Sequence, residues 1–116
     1  MTPTIVLKNN YPYLVLDTPG GTTIPTSIFQ TLVNIREFGM STEDANYKPK
    51  FHHQWLPDTL DIEKGFPQNV SDGLRKMGYA VKQRGSIGRT EVIKVLQDKK
   101  FEAAADNRGD DDSEGW

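Results

Sequence analysis

A Pro-Gly-Gly turn between a β-rich opening and a helical stretch is the feature of this sequence that most constrains its fold. Thr4 to Leu7 and Tyr13 to Leu16 are rich in β-branched and aromatic residues, and the residues between them are typical of a turn. Gly20 and Gly21 then end the second strand, because glycine adopts backbone conformations that other residues rarely reach. The sequence therefore predicts a hairpin followed by a sharp turn.

The residues after the turn predict a helix over Ile24 to Phe38. Ile28, Leu32 and Ile35, together with Phe29 and Val33, recur at steps of three and four residues, which is the period of a helix that packs one face against a core. Pro25 suits the first helical turn, and Gly39 suits the position after the last. The predicted order of elements is therefore a strand, the Gly-Gly turn and a helix.

The remaining elements are shorter. Ser41, with Asp44 three residues later, resembles a capping box and predicts a short second helix that ends before Pro49. A third helix is predicted around Val70, Leu74 and Met77, ending at Gly78. Further short strands are predicted at Leu60 to Glu63, Tyr79 to Arg84, Glu91 to Leu96 and Phe101 to Ala105. Mixed strands packed with two to three helices predict an α+β fold or a layered α/β sandwich.

The length and charge of the chain limit its organisation and its partners. Its 116 residues suffice for a single domain over 1–116 with one core. The formal charge of -2 gives no general reason to expect a nucleic-acid partner, and no apolar run is long enough for a membrane span. The acidic residues over 106–116 favour a flexible, solvated tail, with a cation site as the alternative. We also find no charged and apolar leader at Met1 that would indicate a signal peptide.

The Gly20-Gly21 turn is the strongest candidate for chemistry. Its backbone N-H groups carry no side chain beside them, and the start of the following helix contributes positive dipole, so the turn could hold an anion or a developing oxyanion. A plain tight turn is the alternative. The chain has no cysteine, and no serine lies in a Gly-x-Ser-x-Gly nucleophile elbow. No complete catalytic set is therefore found, and no cofactor or metal is expected.

The two histidines and the basic residues favour structural interpretations. His52 and His53 are adjacent, so their side chains point apart in most conformations, which favours hydrogen-bonding roles over joint metal ligation. Four cations on the last strands favour a solvated face over a single-strand nucleic-acid site, because few aromatic residues lie among them. These cations are Lys82, Arg84, Arg89 and Lys94.

Five segments give the chain a resemblance to a known family, in unbroken order over nearly its whole length. They are Thr2 to Val6, Thr18 to Gly21, Phe38 to Met40, Pro49 to Asp58 and Ala105 to Arg108. Together these segments resemble the C-terminal half of the small subunit of gamma-glutamyltranspeptidases. The string Phe-His-His-Gln-Trp-Leu-Pro-Asp over 51–58 is the most specific of them.

The resemblance implies part of an αββα sandwich of the N-terminal nucleophile hydrolases. Such enzymes are made as one precursor that cleaves itself to expose a threonine nucleophile. The threonine takes the γ-glutamyl group from glutathione or a related compound, and water or an amino acid or peptide releases it. The family's Pro-Gly-Gly turn lines the oxyanion hole, which carries over to Gly20 and Gly21. The whole protein is then expected to be periplasmic or extracellular.

The resemblance also implies that important parts of the enzyme lie outside this chain. The nucleophilic threonine and the groups that hold the substrate's α-amino group would lie far upstream of Met1, and a serine pair that grips its α-carboxylate immediately before it. The partners expected are therefore the large subunit, the N-terminal half of the small subunit and a γ-glutamyl peptide. The isolated chain is expected to be inactive. The alternatives are a non-catalytic binding or assembly module with the same fold, and a binder of single-stranded nucleic acid.

Overall fold

Strands and short helices alternate along the chain in a computed structural model that describes residues 3–115. The strands are β1 (Thr4–Lys8), β2 (Tyr11–Asp17), β3 (Phe51–His52), β4 (Leu60–Ile62), β5 (Val81–Gln83), β6 (Glu91–Val95) and β7 (Phe101–Ala104). The helices are α1 (Ile24–Arg36), α2 (Thr42–Tyr47) and α3 (Gln68–Lys76), and a 3₁₀ turn (Gly21–Thr23) leads into α1. The predicted α+β class is confirmed.

The chain forms two compact units, which we describe separately. The first unit comprises residues 1–48 and 88–116, and the second comprises residues 49–87. The prediction of one domain over 1–116 stays a prediction.

The first unit is built on an antiparallel sheet with the strand order β1-β2-β6-β7. Leu16 pairs with Val92, and Val92 pairs with Ala104, so the three side chains share one face of the sheet. On that face they form a buried apolar cluster with residues from α1 and α2. Its members are Leu14, Leu16, Ile35, Ala45, Val92 and Ala104.

The predicted packing face of α1 is confirmed for Ile28, Leu32 and Ile35, but not for Phe29, which is exposed. Ile35 is buried in the cluster, and Ile28 and Leu32 pack against it while partly exposed. The helix ends at Arg36, two residues earlier than predicted. Gly39 has a φ of 65°, and beyond the helix end the N-H of Met40 donates to the carbonyl of Asn34. This closure of the last turn releases Phe38 from the helix.

The second unit contains a sheet with the order β3-β4-β5, in which β3 and β4 are antiparallel and β4 and β5 are parallel. Helix α3 is the crossover between the parallel pair. The carboxylate of buried Glu63 accepts the N-H of Lys50 at 2.7 Å and the N-H of Ile87 at 2.6 Å. One side chain thus joins the first and last parts of this unit.

Two predictions differ from the structure for local reasons. The strand predicted from Tyr79 begins only at Val81, because the N-H of Tyr79 donates back to the carbonyl of Leu74 and completes the end of α3. The flexible acidic tail predicted over 106–116 cannot include Asp106, because Asp106 is buried. Its carboxylate accepts the N-H of Thr90 at 2.6 Å and pairs with Arg108 at 2.9 Å.

Candidate functional site

The Gly20-Gly21 turn joins the end of β2 to the 3₁₀ turn before α1. Gly20 has a φ of 142° and Gly21 a φ of 58°, values that favour glycine at both positions. A Cβ atom on Gly20 would collide with the hydroxyl of Thr23. Both glycines are exposed. The predicted sharp turn between strand and helix is confirmed.

The amide groups of this turn are open to a ligand. Within residues 3–115, the N-H groups of Gly20 and Gly21 donate to no protein acceptor. The ψ of Gly20 is 10°, which places the nitrogens of Gly20 and Gly21 on the same side of the turn. Two adjacent N-H groups are thus available to one anionic oxygen.

The electrostatic setting of the turn favours negative charge. The 3₁₀ turn continues into the 13 residues of α1, and neither first turn carries an acidic residue that would neutralise the positive end of the helix. Pro25 lies in the first turn of α1 as predicted, where its missing N-H leaves no hydrogen bond unmade. The site is therefore a pair of free amides at a positive helix end.

The turn is packed against a third glycine, Gly88, and the sequence interpretation did not predict this contact. A Cβ atom on Gly88, which has a φ of 72°, would lie 2.5 Å from Oγ of Ser27 and 3.0 Å from Oγ1 of Thr18. Its Cα atom lies close to Gly20. Glycine suits position 88 because the side chains of Ser27 and Thr18 leave no room for a Cβ atom. No sequence motif links residue 88 to residue 20.

The histidines make hydrogen bonds within the second unit, as the structural interpretation predicted. Nε2 of buried His52 lies 3.1 Å from Oε1 of Gln54, and Nε2 of His53 lies 2.9 Å from Oδ1 of Asp58. The backbone N-H of Trp55 donates to Nδ1 of His53 at 3.3 Å. Both rings thus brace the loop that follows β3.

The four cations do not lie on one strand face. Lys82 lies on β5 and Lys94 on β6, which belong to different sheets. Arg84 follows β5 and pairs with Asp61 at 3.1 Å, and Arg89 precedes β6 and pairs with Asp111 at 2.8 Å. The two arginines are therefore engaged by carboxylates of their own units.

The acidic C-terminal segment is bound at more than one point to the residues that lead into β6. Asp111 pairs with Arg89, and Asp106 accepts the N-H of Thr90. Burial raises the pKa of the Glu91 carboxyl, a hydrogen bond from the backbone of Asp106 lowers it, and the negative charges of Asp111 and Asp106 raise it further. Across residues 3–115, no group of three or more His, Asp or Glu side chains is placed to hold a metal ion.

No helix that the structure describes between residues 3 and 115 has both the length and the apolar character needed to cross a membrane.

Comparison with known proteins identifies the family. The family model described as gamma-glutamyltranspeptidase matches residues 1–116. The glutathione hydrolase proenzyme of Escherichia coli K12 is 40% identical over 112 residues, which cover 97% of this chain and 19% of that protein. The glutathione hydrolase proenzyme of Pseudomonas aeruginosa is also 40% identical, over 113 residues.

Solved structures agree with the sequence matches. A mutant gamma-glutamyltranspeptidase of Helicobacter pylori is 43% identical with a TM-score of 0.89, covering 94% of this chain and 61% of that chain. The enzyme of Pseudomonas nitroreducens complexed with L-DON is 38% identical with a TM-score of 0.91, covering 100% of this chain and 62% of that chain. The predicted N-terminal nucleophile hydrolase fold is confirmed by these neighbours.

The chain spans about a fifth of the length of the bacterial proenzymes that it matches. With a family match over its whole length and close structural agreement, the chain belongs to the gamma-glutamyltranspeptidase family.

Proposed function

We propose that this chain supplies the oxyanion hole of a gamma-glutamyl acyltransferase or hydrolase, through the N-H groups of Gly20 and Gly21. The observation that carries the proposal is the pair of exposed, unengaged amides at the positive start of α1. The relatives named glutathione hydrolase proenzyme support glutathione and related γ-glutamyl compounds as substrates.

In the proposed reaction, a threonine hydroxyl oxygen attacks the carbonyl carbon of the γ-glutamyl amide. The carbonyl oxygen becomes negatively charged, and the two glycine amides donate hydrogen bonds to it. The proton that the hydroxyl loses is transferred to the amide nitrogen. The C-N bond breaks as the tetrahedral intermediate collapses, the amine departs, and the γ-glutamyl group remains on the threonine as an ester. Water releases glutamate from that ester, or an amino acid or peptide amine forms a new amide. The glycine amides accelerate these steps because the charge that they bind exists only along the reaction path.

The nucleophile and the substrate clamp of this reaction belong to other parts of the same precursor. We expect these parts to be the large subunit and the N-terminal half of the small subunit, which would lie upstream of this chain as the family resemblance implies. The isolated chain is therefore inactive, because an oxyanion hole without a nucleophile has no charge to stabilise. Export of the whole protein to the periplasm or the cell exterior belongs to the same proposal, and fractionation of producing cells tests it.

The rest of the precursor docks on the outer face of the first unit's sheet. Ile5 pairs with Val15, Val15 with Ile93 and Ile93 with Ala103, so one apolar row crosses all four strands. Ile5 is 64% exposed and Ile93 42% exposed, whereas the opposite face is covered by helices. An exposed apolar face of this kind marks an interaction surface. Its proposed occupant is the apolar face of the second sheet of the sandwich, from the portion of the small subunit that this chain does not cover.

The proposal is tested by substitution of Gly20 in the full-length protein. We expect Gly20→Ala to lower kcat toward a chromogenic γ-glutamyl anilide by about 10²-fold, because the added Cβ displaces the turn. Gly39→Ala is the matched control. Gly39 also has a positive φ, but a Cβ there meets no atom within 4 Å and the residue follows the far end of α1.

Three outcomes would contradict the proposal. Full activity of Gly20→Ala would show that the turn takes no part in the reaction. Turnover by the isolated chain that is abolished in Gly20→Ala would show that the chain carries its own nucleophile. An absence of any hydrolysis by the full-length protein would favour the alternative of a non-catalytic assembly module.

A further inference from the structure

We infer that Thr18 and Thr23 are positioning residues that hold the Gly20 and Gly21 amides in the orientation an oxyanion requires. This inference rests on the proposed function of the turn. It concerns two side chains that flank the glycines and contact neither substrate nor nucleophile in the proposed reaction.

Each threonine hydroxyl donates a hydrogen bond to the carbonyl of a peptide group whose N-H belongs to Gly20 or Gly21. Oγ1 of Thr18 donates to the carbonyl of Pro19 at 2.9 Å. Oγ1 of Thr23 donates to the carbonyl of Gly20 at 2.9 Å, and the backbone N-H of Thr23 donates to the same oxygen at 3.1 Å. The peptides 19–20 and 20–21 are therefore both held through their oxygen atoms.

A hydrogen bond that fixes the direction of a peptide carbonyl also fixes the direction of the N-H in the same peptide group. Both peptides are trans, and in a planar trans peptide the C=O and the N-H point in opposite directions. When Thr18 holds the carbonyl of Pro19, the N-H of Gly20 points away from Thr18. When Thr23 holds the carbonyl of Gly20, the N-H of Gly21 points away from the helix. The two amides are thus directed outward by bonds on the inner side of the turn.

The turn needs such bonds because glycine alone does not define a peptide orientation. A glycine residue has a wider choice of backbone conformations than any other, so the 20–21 peptide could rotate at little energetic expense. Rotation would exchange the N-H for a carbonyl oxygen, which repels an oxyanion. Hydrogen bonds from buried hydroxyls favour one of the two orientations, and both Thr18 and Thr23 are buried.

Thr18 is itself held from a distant part of the first unit. Its Oγ1 accepts the backbone N-H of Arg89 at 2.8 Å, and its own N-H donates to Oδ1 of Asp17 at 2.8 Å. The accepted hydrogen bond leaves the Thr18 hydroxyl proton directed at Pro19. Thr23 is the cleaner target for substitution, because replacement of Thr18 also deprives the Arg89 amide of its acceptor.

The orientation is measured in the 116-residue chain itself by N-H residual dipolar couplings of Gly20 and Gly21. We expect Thr23→Val to change the Gly21 coupling, and Thr23→Ser, which keeps the hydroxyl, to preserve it. Thr26→Val is the matched control, because Thr26 makes the same kind of bond to the carbonyl of Thr23, one step beyond the glycine peptides. An unchanged Gly21 coupling in a folded Thr23→Val chain would overturn the inference. Thr23→Ala replaces Thr23→Val if the valine variant does not fold.

The consequence for catalysis is measured in the full-length protein with the γ-glutamyl anilide. We expect Thr23→Val to lower kcat by up to about 10²-fold, the effect of one lost oxyanion donor in other enzymes, with KM changed by less than about twofold. Thr23→Ser should restore kcat, and Thr26→Val should retain it. Loss of kcat that Thr23→Ser does not restore, or an unchanged kcat in Thr23→Val, would overturn the role in catalysis.

The two measurements separate the inference from the function on which it rests. If the wild-type full-length protein hydrolyses nothing, the proposed function fails, while the dipolar couplings still decide whether Thr23 orients the Gly21 amide. If the wild type is active and Gly20→Ala is inactive, the function stands and the threonine variants decide the inference alone.

Discussion

Arg108 satisfies several backbone groups of the first unit with one guanidinium. Nη1 donates to the carbonyl of Asn46 and Nη2 to the carbonyl of Lys48, both at 2.9 Å. These carbonyls belong to the end of α2, where a cation also complements the helix dipole. Nη1 further pairs with the buried carboxylate of Asp106 at 2.9 Å. Arg108 therefore joins the C-terminal segment to the end of a helix.

We expect Arg108→Ala to lower the free energy of unfolding by about 3 kcal/mol, because it leaves the Asp106 carboxylate buried without its cation. Denaturant unfolding at pH 7 measures the change. Arg36→Ala is the control: Arg36 pairs with Glu37 at 3.4 Å on the surface, and its loss should change stability by less than about 1 kcal/mol. Equal effects of the two substitutions would contradict a structural role for the buried pair.

The residues of the turn differ in how far the sequence could predict them. Gly20 and Gly21 stand out because two glycines between a strand and a helix form a local signal. Only one of the two hydrogen bonds of the Thr18 hydroxyl joins it to a neighbour in sequence. The hydroxyl donates to the carbonyl of adjacent Pro19, but it accepts from the N-H of Arg89, which is 71 residues away. The carboxylate of buried Asp106 likewise accepts a hydrogen bond from Thr90, which is 16 residues away.

At the scale of elements, α2 is held at its start by two acceptors of different origin. The hydroxyl of Ser41 accepts the N-H of Asp44 at 3.0 Å, which confirms the cap predicted from the local sequence. The carboxylate of Glu102, on β7, accepts the N-H of Thr42 at 2.6 Å. The second acceptor was missed, since nothing near residue 42 indicates a partner 60 residues away.

Glu102 should make the stability of the first unit depend on pH. The N-H of Thr42 lowers the pKa of the Glu102 carboxyl, with a smaller contribution from Lys94, while burial opposes the change. A group whose pKa is lowered by folding stabilises the protein above its unfolded pKa, about 4.3 for Glu, and that stabilisation is lost as pH falls through the lowered folded value. The contribution is therefore complete at neutral pH.

We expect the difference in unfolding free energy between the wild type and Glu102→Gln to be constant above about pH 5 and to shrink below about pH 4. Denaturant melts across this range measure it. Glu114→Gln, in the exposed C-terminal segment, is the control and should follow the wild type. A difference that grows as the solution is acidified would show that the sign of the effect is wrong.

At the scale of the whole molecule, the apolar row from Ile5 to Ala103 should govern association. The isolated chain lacks the sheet that we propose as its occupant, so two copies are expected to cover the row with each other at high concentration. Ile93→Lys places a charge in the middle of the row and should shift the chain toward monomer in sedimentation velocity.

Phe29→Lys is the control, because Phe29 is similarly exposed but lies on α1 rather than on the outer face of the sheet. It should leave association unchanged. A strictly monomeric wild-type chain at high concentration would contradict the docking role of the row, as would equal association of the wild type and Ile93→Lys.

The first unit is discontinuous in sequence, and this has a consequence for how the protein is made. β2 ends at Asp17, but its partner β6 begins only at Glu91, with the whole second unit between them. A chain emerging from the ribosome therefore presents the β1-β2 hairpin and α1 long before their sheet can be completed. Contacts over such separations form slowly, and an unpaired β2 edge invites the wrong partner in the meantime. Slower translation between residues 49 and 87 should therefore lengthen the time for which the edge of β2 lies unpaired.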